Sequence, residues 1–239
     1  MPVKREDDIA TTVVDRVTTE NGELVLRCVG SHFEIISNGT FLMDTRDGQS
    51  ERLLVDAAVD AAADAAGAAG LRVLIGGLGV GFSLGAAVAR PEVGHIVVVE
   101  RELPVITWQS GPLAPFSDHA PHDPRVEIRH TDLVAWVHAA ADDAAGEVPS
   151  GAERFDVLCL DIDNGPDWTV TSSNDSLYGD AGLRALRRRL RPGGVLAVWS
   201  AAASPAFAAR LAAVFDDVRA EEVPVRVPRG VPDVVYLAR

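Results

Sequence analysis

The stretch from Arg72 to Arg90, RVLIGGLGVGFSLGAAVAR, narrows what this chain can fold into more than any other. Val73, Leu74 and Ile75 form a short apolar run, the pattern of a buried strand. Glycines follow at positions 76, 77, 79 and 81. Phe82, Leu84, Ala86, Ala87 and Val88 then trace an apolar helical stripe that stops at Pro91. Strand, glycine turn and helix in direct succession are the entry unit of a nucleotide-binding α/β sheet. Glycine permits positive φ and lets a ligand approach the backbone with no Cβ in the way. The spacing Gly77-x-Gly79-x-Gly81 is not the dinucleotide pattern G-x-G-x-x-G but a tighter one. A plain tight turn would also use glycines, so the meaning of the cluster depends on its company.

The rest of the chain supplies that company. Residues 1–20 are polar and charged without a clear period. ELVLRCVG, HFEIIS and TFLMDTR, punctuated by Gly30 and Asn38-Gly39, read as a small antiparallel meander over about 20–46. Residues 50–66 carry a helical stripe of Leu53, Leu54, Ala57, Ala58, Ala61 and Ala65. Beyond the glycine unit, 95–100 is a second buried strand, 102–110 a helix with Pro104 in its first turn, and 111–124 a proline-rich loop. Residues 125–130 are a third strand, 133–141 a helix, 142–153 a polar loop and 155–160 a fourth strand. A long loop leads to Tyr178 and a helix over 179–190. Arg191-Pro-Gly-Gly194 is a turn, 195–199 a fifth strand, 205–215 a helix, and 217–227 and 232–238 two closing strands. The expected class is α/β: a Rossmann-like, mostly parallel seven-stranded sheet flanked by helices over 49–239, with a small N-terminal antiparallel β meander within 1–48.

Composition excludes several functions. The formal net charge is −13 in 239 residues, whereas binding nucleic acid through phosphates needs a basic surface. An acidic surface is compatible with a cationic substrate. Cys28 and Cys159 both lie in apolar runs and read as buried small hydrophobes. No metal-ligand spacing is present, so no metal is expected. Neither a signal peptide nor an apolar run of membrane-spanning length is recognisable, which makes the cytoplasm the expected location, without a membrane partner.

Ligands of open α/β sheets bind at the carboxyl ends of the strands. Acids stand at three successive strand ends: Glu100, Asp132, and Asp161 with Asp163 and Asn164. Glu100 can accept both hydroxyls of a ribose, or it is a solvated strand-end acid. Asp132 can cap the following helix, accept the exocyclic amine of adenine beside Leu133, or do both. Asp161-Ile-Asp163-Asn164-Gly-Pro166 is either a turn or a pair of carboxylates close enough to raise one pKa. An acid so tuned can take a proton from an amine. Without tuning, a carboxylate near 4 faces an alkylammonium near 10, a gap worth about 8 kcal/mol. His130 reads as structural, Trp108 and Trp168 as core or lid packing. Asn174 and Tyr178 lie where a lid over the Asp161 loop would form.

With these residues in place, the chain from about Gly39 to Arg239 resembles the spermidine synthase (polyamine aminopropyltransferase) family, within the Rossmann-like methyltransferase superfamily. The likeness is carried by IGGLGVG at 75–81, VVVERE at 97–102, PRVEIRHTD at 124–132, FDVLCLDIDNGP at 155–166, Leu177-Tyr178, and RPGGVLAVWS at 191–200. The resemblance implies a methyltransferase-type sheet and a donor site at Gly77, Gly79 and Gly81. It implies that Glu100 holds the ribose, that Asp132 and Leu133 hold the adenine, and that Asp161 is the general base on an attacking amine. Asp163, Asn164 and Tyr178 would then contact the acceptor. The chain also departs from the family. The family's glycine motif carries an aspartate that contacts the donor's amine, and here that position is Gly79. The second aspartate of the family's D-S-x-D-P motif is replaced by Asn164, with Asp163 one residue early. The family's Tyr-Gln pair falls near Glu51-Arg52, and its Tyr- and Pro-rich C-terminal segment is not recognisable in VPVRVPRGVPDV.

Three readings follow. In the first, the chain transfers an aminopropyl group from decarboxylated S-adenosylmethionine to a small amine, leaving methylthioadenosine. In the second, it is an S-adenosylmethionine-dependent methyltransferase, since Gly79 leaves room for a cofactor carboxylate. In the third, it is a non-catalytic nucleoside-binding protein that kept the fold. The resemblance also implies a homodimer or homotetramer.

Overall fold

The computed structural model describes residues 10–66, 69–139, 153–225 and 231–239. It divides into two compact units, residues 1–47 and 48–239.

The first unit is an antiparallel sheet of β1 (Thr11–Thr19), β2 (Gly22–Val29), β3 (His32–Ser37) and β4 (Thr40–Asp44), in that order. Asn38 and Gly39 both take positive φ at the β3–β4 turn, as an Asn-Gly hairpin requires. Leu24, Leu26 and Ile35 are buried. Glu34 is nearly buried and bridges Arg27 and Arg46, each at 2.6 Å. Two expectations fail here. Residues 11–19 form a strand although they show no period: most of that strand is exposed, so it carries no core pattern, and pairing with β2 defines it. Cys28 is only half-buried.

The second unit opens with α1 (Gln49–Ala66), β5 (Leu71–Gly76), α2 (Phe82–Ala89), β6 (Val93–Glu100) and α3 (Leu103–Trp108). It continues through β7 (Val126–His130), α4 (Leu133–His138), β8 (Phe155–Leu160), α5 (Asp175–Tyr178), α6 (Asp180–Arg189) and β9 (Leu190–Ser200), and ends with α7 (Pro205–Ala212), β10 (Val218–Val223) and β11 (Asp233–Ala238). The sheet order is β10-β11-β9-β8-β5-β6-β7, with β11 antiparallel to both its neighbours, β10 and β9, and every other neighbouring pair parallel. Every residue of β8 is buried, as a central parallel strand covered on both faces demands. Side chains alternate between the faces. Leu74, Val97, Val99, Leu158, Leu160, Leu196 and Val198 join a core with α4, α5, α6 and α7. On the other face Cys159 lies under α1, its thiol against the Leu54 carbonyl.

Smaller departures have local causes. Arg191-Pro-Gly-Gly194 is not a turn between elements but an excursion within β9: the register with β8 jumps from Phe155–Leu190 to Val157–Val195. The 111–124 loop contains two 3-10 turns, Ala114–Ser117 and Ala120–His122. The helix expected over 133–141 ends at His138. The loop expected over 142–153 lies outside the described residues except for its last position; the strand expected over 217–227 stops at Val223, and its last two expected positions also lie outside the described residues. No helix of the described residues is long and apolar enough to cross a membrane.

Candidate functional site

β5 is flanked by β6 on one side and by β8, which enters the sheet later, on the other. The direction of sheet growth therefore reverses between β5 and β8, and the carboxyl ends of strands at such a reversal are where open α/β sheets take their ligands. The glycine turn at 76–81 and Asp161 both stand there.

The turn is the hub of the site. A Cβ on Gly77, which has φ +92°, would lie 2.1 Å from the Asp161 carbonyl oxygen, so only glycine lets the two chain segments meet. The Asp161 amide donates to the Gly76 carbonyl at 2.8 Å. A Cβ on Gly76 would press on Leu133, whose side chain thereby roofs the end of β5. The Glu100 carboxylate crosses from β6 and accepts the Leu78 amide at 2.9 Å on one oxygen and the Glu102 amide at 2.7 Å on the other. Behind the turn, the buried Gln109 amide donates to the Gly79 carbonyl at 2.8 Å.

These bonds limit what the turn can hold. The amides of Gly77, Leu78 and Gly81 go to the Val99 carbonyl, the Glu100 carboxylate and the Leu78 carbonyl. A phosphate-binding loop keeps its amides aimed at the ligand. This turn spends three of them internally, which disfavours a pyrophosphate and leaves a glycine cradle suited to a nucleoside without phosphates. Glu100 is buried, and burial pushes its pKa up against the opposing backbone amides. A buried carboxylate at this strand end is an acceptor for neutral hydroxyls, the pair a ribose offers.

Asp161 is a strongly perturbed carboxylate. Burial, then the nearby charges of Glu51 and Glu100, raise its pKa to about 7, while the Ser83 hydroxyl opposes the rise. That hydroxyl donates to Asp161 Oδ2 at 2.7 Å and also lies 3.3 Å from the Glu51 carbonyl. Glu51 accepts from Ser50, whose hydroxyl is also 2.8 Å from the buried Asp233. Ser83, Glu51 and Gln109 were not among the candidates read from the sequence. Serine at the start of a helix and glutamate in a first turn are ordinary, and only the tertiary fold brings them to Asp161.

The other expected residues divide. Asp132 is an N-cap: its Oδ1 accepts the Ala135 amide at 2.8 Å. Asp163, at φ +54°, ties down its own loop, accepting the amides of Val170 and Thr171 and the Asn174 side chain at 2.7 Å. Burial raises its pKa against those donors and Arg101. Asn164 is buried, its backbone bonded to Trp168 and Ala201. Tyr178 packs its ring edge-on against Phe207, and its hydroxyl lies 3.4 Å from the Ile162 carbonyl. Tyr178 also borders a surface cavity of about 450 Å³ with Asp167, Trp168, Thr169, Asp175 and Arg210. Trp168 is 60% exposed and Trp108 is buried. His130 bonds the Arg101 carbonyl.

No family model and no curated protein matches the sequence. Solved structures do match. A spermidine synthase in complex with the transition-state analogue AdoDATO superposes with a TM-score of 0.73 at 16% identity, over 95% of this chain and 73% of that one. Spermidine synthase from Thermotoga maritima gives 0.70 at 16% identity, over 95% and 72%. Human methyltransferase-like protein 13 in complex with SAH gives 0.54 at 17% identity, over 80% and 78%. The chain therefore has the spermidine synthase fold, small N-terminal sheet included, at a sequence distance that leaves its activity to be argued from its own residues.

Proposed function

We propose that the protein is a transferase that uses an S-adenosyl donor and moves an aminopropyl group from decarboxylated S-adenosylmethionine to a small amine. The observation that carries this reading is Asp161, a carboxylate with a pKa of about 7 at the reversal point of the sheet. An alkylammonium near 10 faces such a base across about 3 pKa units, or about 4 kcal/mol, half the gap an ordinary carboxylate would leave. Gly77, Gly79 and Gly81 would lie along the donor. Glu100 would accept the ribose hydroxyls, and Asp132 with Leu133 would border the adenine. A sulfonium donor supplies an electrophilic carbon, and the protein's part is to hold the amine in line with it and take its proton. Asp163, Asn164 and Tyr178 would shape the acceptor side by fixing the loop after β8. The neighbours' fold and the absorbed amides of the glycine turn support a nucleoside donor over a dinucleotide. No metal-binding group of His, Cys, Asp or Glu occurs among the described residues, and none of the proposed steps uses one.

One observation favours methyl transfer instead. Gly79 puts no carboxylate beside the donor's tail, so a carboxylated cofactor meets less repulsion there. Calorimetric titration with methylthioadenosine, S-adenosylmethionine and its decarboxylated form separates the readings. Preference for the decarboxylated form supports aminopropyl transfer, preference for S-adenosylmethionine supports methyl transfer, and binding of none leaves a fold without its donor. We place the protein in the cytoplasm as a homodimer or homotetramer acting on small molecules. Cell fractionation and light scattering test that placement.

A further inference from the structure

Asp161 has two carboxylate oxygens with unequal surroundings. Oδ2 accepts the Ser83 hydroxyl at 2.7 Å, and Oδ1 accepts from no described residue. Ser83 is 2% exposed and sits in the first turn of α2, directly after the glycine turn, so its hydroxyl is held by the same backbone that would carry the donor. The Glu51 carbonyl offers that hydroxyl a second acceptor from α1.

We propose that Ser83 is a positioning residue for Asp161: its hydroxyl fixes Oδ2, leaves Oδ1 as the atom that receives the proton, and couples the base to the donor-bearing turn, with Glu51 acting in the opposite electrostatic sense. This rests on Asp161 being the base. The balance is simple. The amine N–H bond breaks, its electron pair stays on nitrogen for attack, and the proton passes to Oδ1, giving a neutral carboxylic acid whose other oxygen keeps its bond to Ser83. Among the described residues, the titratable groups that interact with Asp161 are Glu51 on α1, Glu100 at the end of β6, the Cys159 thiol on β8 and Tyr178 on α5. Glu51 and Glu100 both raise the base's pKa, and Ser83 is the group that lowers it.

The test compares wild type with S83A, S83T, E51Q and D161N. It reads the acid limb of the rate profile with an amine acceptor and, independently, the pH dependence of thermal unfolding. S83A is expected to move the acid-limb midpoint up by about one unit, a loss of roughly fivefold at pH 7. E51Q should move it down, and S83T should restore the wild-type midpoint. Shifts of opposite sign are something a merely structural role would not produce. In unfolding, the pH-dependent difference between wild type and D161N should extend to higher pH in the S83A background. An unmoved S83A midpoint in both readouts, or shifts of the same sign for S83A and E51Q, would overturn the proposal. If D161N turns over amine as well as wild type does, the base assignment fails, whereas the unfolding comparison still reports whether Ser83 governs the Asp161 proton.

Discussion

Glu100 and Asp161 are both carboxylates at strand ends, yet their surroundings set them to different work. Glu100 accepts two backbone amides and holds still; Asp161 accepts one hydroxyl and faces two like charges. Loss of the acceptor in E100A should weaken methylthioadenosine binding by about 10- to 100-fold, each charge-assisted bond being worth about 1.5–3 kcal/mol, and calorimetry reads this. For Asp161 the sign of the pH effect follows from its raised pKa. The folded protein holds the proton more tightly than the unfolded chain does. Its contribution is therefore fully present below about pH 4 and is lost as pH rises through about 7. D161N, which cannot ionise, should be more stable than wild type at pH 8 by about 2–4 kcal/mol and lose activity, a stability–activity exchange visible in paired melting and rate measurements. The sequence marked both acids from their places after apolar runs. It could not mark Ser83 or Glu51, because their chemistry lies in whom they meet.

The loop after β8 is an element with its own logic. Residues 161–174 contain turn formers in quantity, and Asp163 gathers three donors from the far half of the loop into one carboxylate. D163A should leave the sheet intact but speed amide exchange at Val170 and Thr171 by at least tenfold, as measured by hydrogen–deuterium exchange. α4 offers a contrast. Its cap, Asp132, is one hydrogen bond, and D132A should cost about 0.5–2 kcal/mol of stability in denaturant unfolding. A larger fall in adenosine affinity than in stability would separate adenine contact from capping. The turn between β5 and α2 tolerates less. A methyl at Gly77 has nowhere to go except into the Asp161 backbone, so G77A should destabilise by more than about 2 kcal/mol and abolish donor binding.

Across the chain, a net charge of −13 surrounds a site whose proposed acceptor is a cation. Attraction of that kind is long-range and screened by salt, so the KM for a diamine should rise between 20 and 300 mM salt while kcat changes little. The alternation of apolar runs with helical stripes was enough to read an α/β sheet, its glycine turn and the order of its strand ends, because these patterns are local: a strand wants apolar neighbours, a turn wants glycine, a helix wants a cap. Local pattern failed at Thr11–Thr19, whose exposed strand exists through its pairing with β2, and at 191–194, where glycines interrupt a strand without ending it. Only the tertiary structure decided which acid is tuned. Proton affinity depends on solvent exclusion and on charges brought together from distant parts of the chain. The spacing of Asp161 and Asp163 put them side by side in sequence, yet the fold turned one toward Ser83 and Glu51 and the other into its own loop.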